Sequence, residues 1–121
     1  PAVKLWAEWC EKAQHDPAMR GRFKVINMCS NMEQLGFSSV IVGYNGKPVL
    51  IRRTGTLFRG SNYMEFDVHV HKFDTFAKQG IFQISSLCGN MYMQVGFVIE
   101  GRDDSELPER LFGCVAVNRP Q

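Results

Sequence analysis

The chain has 121 residues, 45% of them apolar and 21% charged, with a formal net charge of +2. That suits one globular domain and falls short of a barrel enzyme of roughly 250 residues or a two-domain dehydrogenase. The composition is wrong for disorder, the charge calls for no nucleic-acid partner, and no run of about 18 apolar residues could cross a bilayer as one helix.

Residues 2–14 predict an amphipathic helix. Leu5, Trp6, Trp9, Cys10 and Ala13 share one face, and Lys4, Glu8, Glu11 and Lys12 lie opposite. Asp16-Pro17 ends it. Two tryptophans on one stripe either pack on the core or a neighbouring chain, or anchor the helix at a membrane surface. The mixed charge of the polar face favours packing, so Trp6 and Trp9 are candidate partner-interface residues.

Residues 22–29 predict a strand with Phe23 and Val25 on one face and Lys24, Ile26 and Met28 on the other. Ser30-Asn31 offers a cap for a helical turn over Met32–Leu35, closed by Gly36. Residues 38–53 allow two readings. One is a hairpin turning at Asn45-Gly46. The other is a short helix from Ser38 or Ser39 with Gly46 as its left-handed cap, followed by a strand at Val49–Arg52; Pro48 argues against a central place for the second strand. Residues 54–61, with Gly55, Gly60 and Ser61, read as a loop.

Residues 62–71 alternate strictly. Met64, Phe66, Val68 and Val70 should turn into an interior covered by the helix that starts at Asp74. That helix, 74–89, has Asp74 as its expected N-cap and carries an apolar stripe of Phe76, Ala77, Gly80, Ile81, Ile84, Leu87 and Cys88. Residues 91–100 are apolar on both faces, as a central strand would be. Ser105 is the expected cap of a turn at Leu107–Glu109, and Leu111–Val117 is a last strand. The sum is an α+β domain over residues 1–121, a mainly antiparallel sheet with two main helices packed on it.

Chemistry is less plainly written. Asp67, His69 and His71 alternate on the predicted strand, and an H-x-H pair spaced about 6.5 Å along it could reach one metal. The plainer reading is a solvated sheet face, because no further histidine or C-x-x-C supplies the missing ligands. No catalytic residue and no cofactor is assigned. The acidic run Glu100, Asp103, Asp104, Glu106 and Glu109 reads as a turn and helix start. Cys10, Cys29, Cys88 and Cys114 lack metal or redox spacing and are expected to be buried free thiols, which points to a reducing, intracellular compartment. The first 60 residues hold nine basic and four acidic groups, while the remainder holds five basic and eight acidic. Such asymmetry suits one side to a lipid headgroup or an acidic protein partner, the plainer reading being a solvated rim, with Lys47, Arg52, Arg53 and Arg59 as candidate lipid- or anion-binding residues.

Four segments read together narrow the field. They are Arg22-Phe23-Lys24-Val25-Ile26, Tyr44-Asn45-Gly46-Lys47-Pro48-Val49-Leu50, the run Arg59-Gly60-Ser61-Asn62-Tyr63-Met64-Glu65-Phe66-Asp67-Val68-His69, and the run from Glu106-Leu107-Pro108-Glu109 to Val115. From about residue 20 to 118 the chain resembles the C-terminal domain of the plant Enhanced Disease Resistance 2 proteins. The resemblance implies lipid or membrane association and brings no catalytic residues. It departs from the family in length, since the full domain is nearly twice as long, and in His69, where an acidic residue is commoner. In relatives the region after Gly36 looks more helical, which favours the helix reading at 38–45.

The expected function is therefore a non-enzymatic binding module, intracellular and peripheral to a membrane, with an anionic lipid surface as partner. A structural subunit of a larger assembly is the alternative, and a metal-dependent enzyme using His69 and His71 the second.

Overall fold

The helical and period-two patterns resolve into four helices and six strands in the computed structural model, which describes residues 1–121. The first helix, α1 (Ala2–Lys12), buries Leu5 and Trp9, and Ala13 is buried just past its end. Lys12 and Glu8 pair at 2.7 Å on its outer face. The Asp16 carboxylate then accepts the Ala18 and Met19 N–H groups, capping the short helix α2 (Pro17–Arg20), whose first residue is a proline that has no N–H to satisfy.

Strands β1 (Phe23–Cys29), β2 (Pro48–Leu50), β5 (Tyr92–Ile99) and β6 (Leu111–Asn118) form an antiparallel sheet in the order β2-β1-β5-β6. β5 is central, as its two apolar faces require; Val25 stands opposite Phe97, and Val95 opposite Val115. β2 is an edge strand and opens on Pro48, whose missing N–H costs least there. β6 is the other edge.

Of the two readings of residues 38–53, helix plus strand is the one formed. Ser38 caps the helix α3 (Ser39–Val42), which ends at Gly43 in the right-handed region and not at Gly46; Gly46, at φ +74°, stands in the turn before β2. Asn45 does not make a hairpin turn because its side chain is engaged with β1. Its Oδ1 accepts the Cys29 N–H at 2.7 Å and its Nδ2 donates to the Cys29 carbonyl at 2.9 Å, so the amide stands in for a strand partner.

Several expectations are corrected. Residues 54–61 are not a loop: β3 (Gly55–Arg59) pairs with β4 (Met64–Val68) in a separate two-stranded sheet, Leu57 facing Phe66. Glycines at both ends of β3 had masked a five-residue strand. The predicted strand 62–71 is shorter than its alternation, since Val70–Lys72 turns into a 3₁₀ helix. The helical turn over Met32–Leu35 does form, the Leu35 N–H donating to the Asn31 carbonyl at 3.2 Å, and Gly36 ends it at φ +76°, but the Asn31 side chain accepts the Tyr92 N–H and does not cap it. The acidic turn is a 3₁₀ helix at Asp104–Glu106, earlier than the expected Leu107–Glu109, and its cap is Asp103: the Asp103 Oδ1 accepts both the N–H and the hydroxyl of Ser105, so Ser105 is a donor and not the cap.

The covering of β4 is also reassigned, and of the row expected to face inward only Phe66 is covered: Met64, Val68 and Val70 are exposed. Phe66 packs beneath α1, at ring-centroid distances of 5.9 Å from Trp9 and 4.2 Å from Phe23. The helix α4 (Thr75–Ser85), capped by Asp74 as expected, buries none of its residues. It meets the sheet's far end through Ile84, which packs on a small cluster of Cys29, Met32 and Met91. All four cysteines are free, but only Cys29 is buried; Cys114 is exposed on the face of the sheet away from α1, beside Met28 and Gln94.

Candidate functional site

Between α1, the four-stranded sheet and the β3–β4 hairpin lies a cleft of about 420 Å³. All ten residues that line it are apolar, and six are aromatic: Trp6, Trp9, Phe23, Phe66, Phe97 and Phe112. Val25, Leu57, Met64 and Val68 complete it. The rings brace one another. Trp6 stacks on Phe112 at 4.0 Å and on Trp9 at 5.6 Å, and Trp9 stacks on Phe23 at 5.6 Å. Met64 and Val68 are partly open to solvent and form its rim.

The two tryptophans thus take different roles from the interface expected of both. Trp9 is 2% exposed and belongs to the core, with its indole N–H lacking any acceptor. Trp6 is half-buried and is a wall of the cleft.

The four basic candidates separate. Arg52 and Arg53 are exposed and line, together with Lys72, a cleft of about 710 Å³ at the start of α4. Lys47 lies 5.6 Å from the centre of the Tyr44 ring, which in turn meets Phe76 of α4 at 5.9 Å. Three of the four therefore border α4. Arg59 is at the far end of β3, about 20 Å along the chain from Arg53 at some 3.3 Å per residue. There it donates to the Cys10 carbonyl at 3.1 Å.

His69 and His71 do not form the expected pair. β4 ends at Val68, so the alternation that would have put both imidazoles on one face stops before the first of them. His69 lies 2.9 Å from the Thr56 hydroxyl, and no group of three His, Cys, Asp or Glu residues is gathered as metal ligands. This geometry does not gather the histidines into a metal site.

The acidic run has a role that local sequence did not reveal. Arg22, 6% exposed, pairs with Glu106 and donates its Nε to the Glu100 carbonyl at 2.9 Å. Lys24 binds both Glu109 oxygens, at 2.8 and 2.9 Å. The Arg-Phe-Lys strand and the Glu-Leu-Pro-Glu stretch are thus joined by a double ion-pair clasp. Both glutamates also accept backbone N–H groups, Glu106 from Arg102 and Glu109 from Gly101. The Arg102 N–H, and then the Arg22 guanidinium, hold the Glu106 carboxyl below the usual carboxylate range. Burial pushes the Cys10 thiol up, against a weaker opposite pull from Arg59. The only advance signal was complementarity: two cations two residues apart in one motif, two carboxylates three apart in the other.

The family model described as Protein ENHANCED DISEASE RESISTANCE 2, C-terminal, matches residues 2–120, a span that includes α1. No curated protein and no solved structure matches. No helix is long and apolar enough to cross a membrane.

Proposed function

The chain belongs to the Enhanced Disease Resistance 2 C-terminal family, and on that premise we propose that it is a non-enzymatic module that docks on an anionic membrane surface. The observation that carries this reading is α4. Phe76 and Phe82 are 60% and 79% exposed, and Ile81 is partly so. Over residues 44–54 and 72–86, the helix together with the segments that border it, there are five basic residues and one carboxylate. A helix offering large apolar side chains to solvent, ringed by positive charge, has the physical character of an interfacial anchor. Each basic residue near an anionic leaflet contributes about 1 kcal/mol, and the two phenylalanines add the transfer of their rings out of water. Docked this way, the protein is peripheral to its membrane.

Vesicle flotation tests the proposal. Wild-type protein should rise with phosphatidylserine-containing vesicles and stay behind with phosphatidylcholine alone. Phe82→Glu, and separately Arg52→Glu with Arg53→Glu, should each abolish flotation without changing the melting temperature. Equal recovery on both vesicle types, or no loss in the double variant, overturns the reading. Failure to float on either would hand the exposed face of α4 to the other candidate partner, a subunit of a larger assembly.

A further inference from the structure

We infer that the aromatic cleft takes the hydrocarbon chain of a single-chain anionic amphiphile, whose head group is held at Arg59. Protein interiors pack at a density of about 0.75 and leave few voids larger than a water molecule. An open cleft of about 420 Å³ walled by ten apolar residues leaves aromatic surface facing water that close packing would ordinarily cover, and its size falls in the roughly 300–1,000 Å³ range of ligand sites. An all-apolar wall offers water no hydrogen bonds, so the filling it favours is hydrocarbon.

The polar end is placed by Met64. This residue is a wall of the aromatic cleft and also of a neighbouring hollow of about 340 Å³, where Arg59, Ser61 and Asn62 stand. Arg59 keeps step with Gly55 and Leu57 on the inward face of β3. One of its N–H groups goes to the Cys10 carbonyl, and it takes part in none of the four ion pairs. A guanidinium fork without a carboxylate partner fits a carboxylate or phosphate head. Gly60 shapes the adjoining turn: a Cβ there would strike the Tyr63 ring, which lies against it. One cleft accommodates one chain, so a two-chain phospholipid would leave half its hydrocarbon in water. A fatty-acid carboxylate and a lysophosphatidate share the required chemistry.

Trp6 and Trp9 are the only tryptophans and both line the cleft, so they report on it. The purified chain is titrated with a naturally fluorescent long-chain polyene fatty acid, below its micelle-forming concentration, and energy transfer from tryptophan is read. Transfer should saturate at one probe per chain. Saturated fatty-acid competitors should weaken up to about fourfold for each methylene removed. Arg59→Gln should weaken the fatty acid about tenfold and leave the fatty alcohol of equal length unchanged. Val68→Trp fills the rim and should abolish transfer. Met64→Glu, at the other rim residue, should do the same should Val68→Trp fail to fold. Lysophosphatidate is run against fatty acid of the same length, and the stronger competitor names the head group. Absence of saturable transfer, equal loss of acid and alcohol in Arg59→Gln, or displacement by neither competitor overturns the inference. The Arg52→Glu, Arg53→Glu variant should bind the probe like wild type, which separates this site from the α4 contact.

Discussion

Arg22→Ala should cost about 3 kcal/mol, because breaking one side of a buried ion pair typically costs about 3–5 kcal/mol. The lower end applies here, since the Glu106 side chain keeps 19% of its exposure and retains the Arg102 N–H. The Glu100 carbonyl also loses its 2.9 Å donor. With an unfolding entropy of about 2.1 cal/mol/K per residue, or about 250 cal/mol/K for the chain, the melting temperature should fall by about 12 °C. Circular-dichroism melts of wild type, Arg22→Ala, Glu106→Ala and the double variant form the assay. The cycle should show a coupling of about 1–3 kcal/mol, the double variant losing far less than the two singles together. Lys24→Ala is the comparison: its pair is more open, at 16% and 27% side-chain exposure, and should cost about 1 kcal/mol. A drop under about 4 °C for Arg22→Ala, or singles that simply add, would refute the clasp as a stabilising unit.

The clasp also titrates. Glu106 is held below its ordinary value of 4.5 in the folded protein, so the unfolded chain takes up that proton at higher pH. The stability it contributes is whole above pH 4.5 and is lost as pH falls through the lower folded value. Urea midpoints measured from about pH 6 to pH 3 should therefore fall, and fall less steeply in Glu106→Gln; parallel curves would contradict this. At α4, Arg52→Gln with Arg53→Gln should reduce partitioning onto anionic vesicles about 30-fold at low salt, from about 1 kcal/mol per charge. Raising the salt should shrink that gap, and an unchanged gap would exclude charge as its source. Among the thiols, Cys114 should react with a maleimide in the native state while Cys29 stays protected until unfolding. Equal labelling rates would show that the cluster around Cys29 opens readily.

Where the structural cause is local, the fold could be read in advance. The stripe on α1, the two apolar faces of β5, the Asp74 cap and the edge position forced by Pro48 each depend on residues within one or two turns. Causes that act across the chain could not be read. An apolar stripe says that a helix has a side to bury, not which surface meets it; hence α4 was given the place that α1 occupies over Phe66. β3 was lost because its glycines resemble loop punctuation until β4 is laid against it. The aromatic cleft needs six rings from five elements and leaves no local trace. The basic cluster was half legible: Lys47, Arg52 and Arg53 gather at α4, while Arg59 follows its strand to the opposite end of the hairpin. The clasp joins residues 84 and 85 positions apart, so only the co-occurrence of its two motifs hinted at it.

The two rims of the main sheet are unlike. At one, β2 spans three residues and begins with a proline. At the other, β6 runs for eight residues, Leu-Phe-Gly-Cys-Val-Ala-Val-Asn, without a single charge, and no strand hydrogen-bonds to its outer side. Proline, brevity and lysine are the usual protections against unwanted strand addition, and β6 has none of them along its length. Self-association in a concentrated solution is therefore expected to start at Leu111–Asn118, and a single lysine at the exposed Val115 should suppress it.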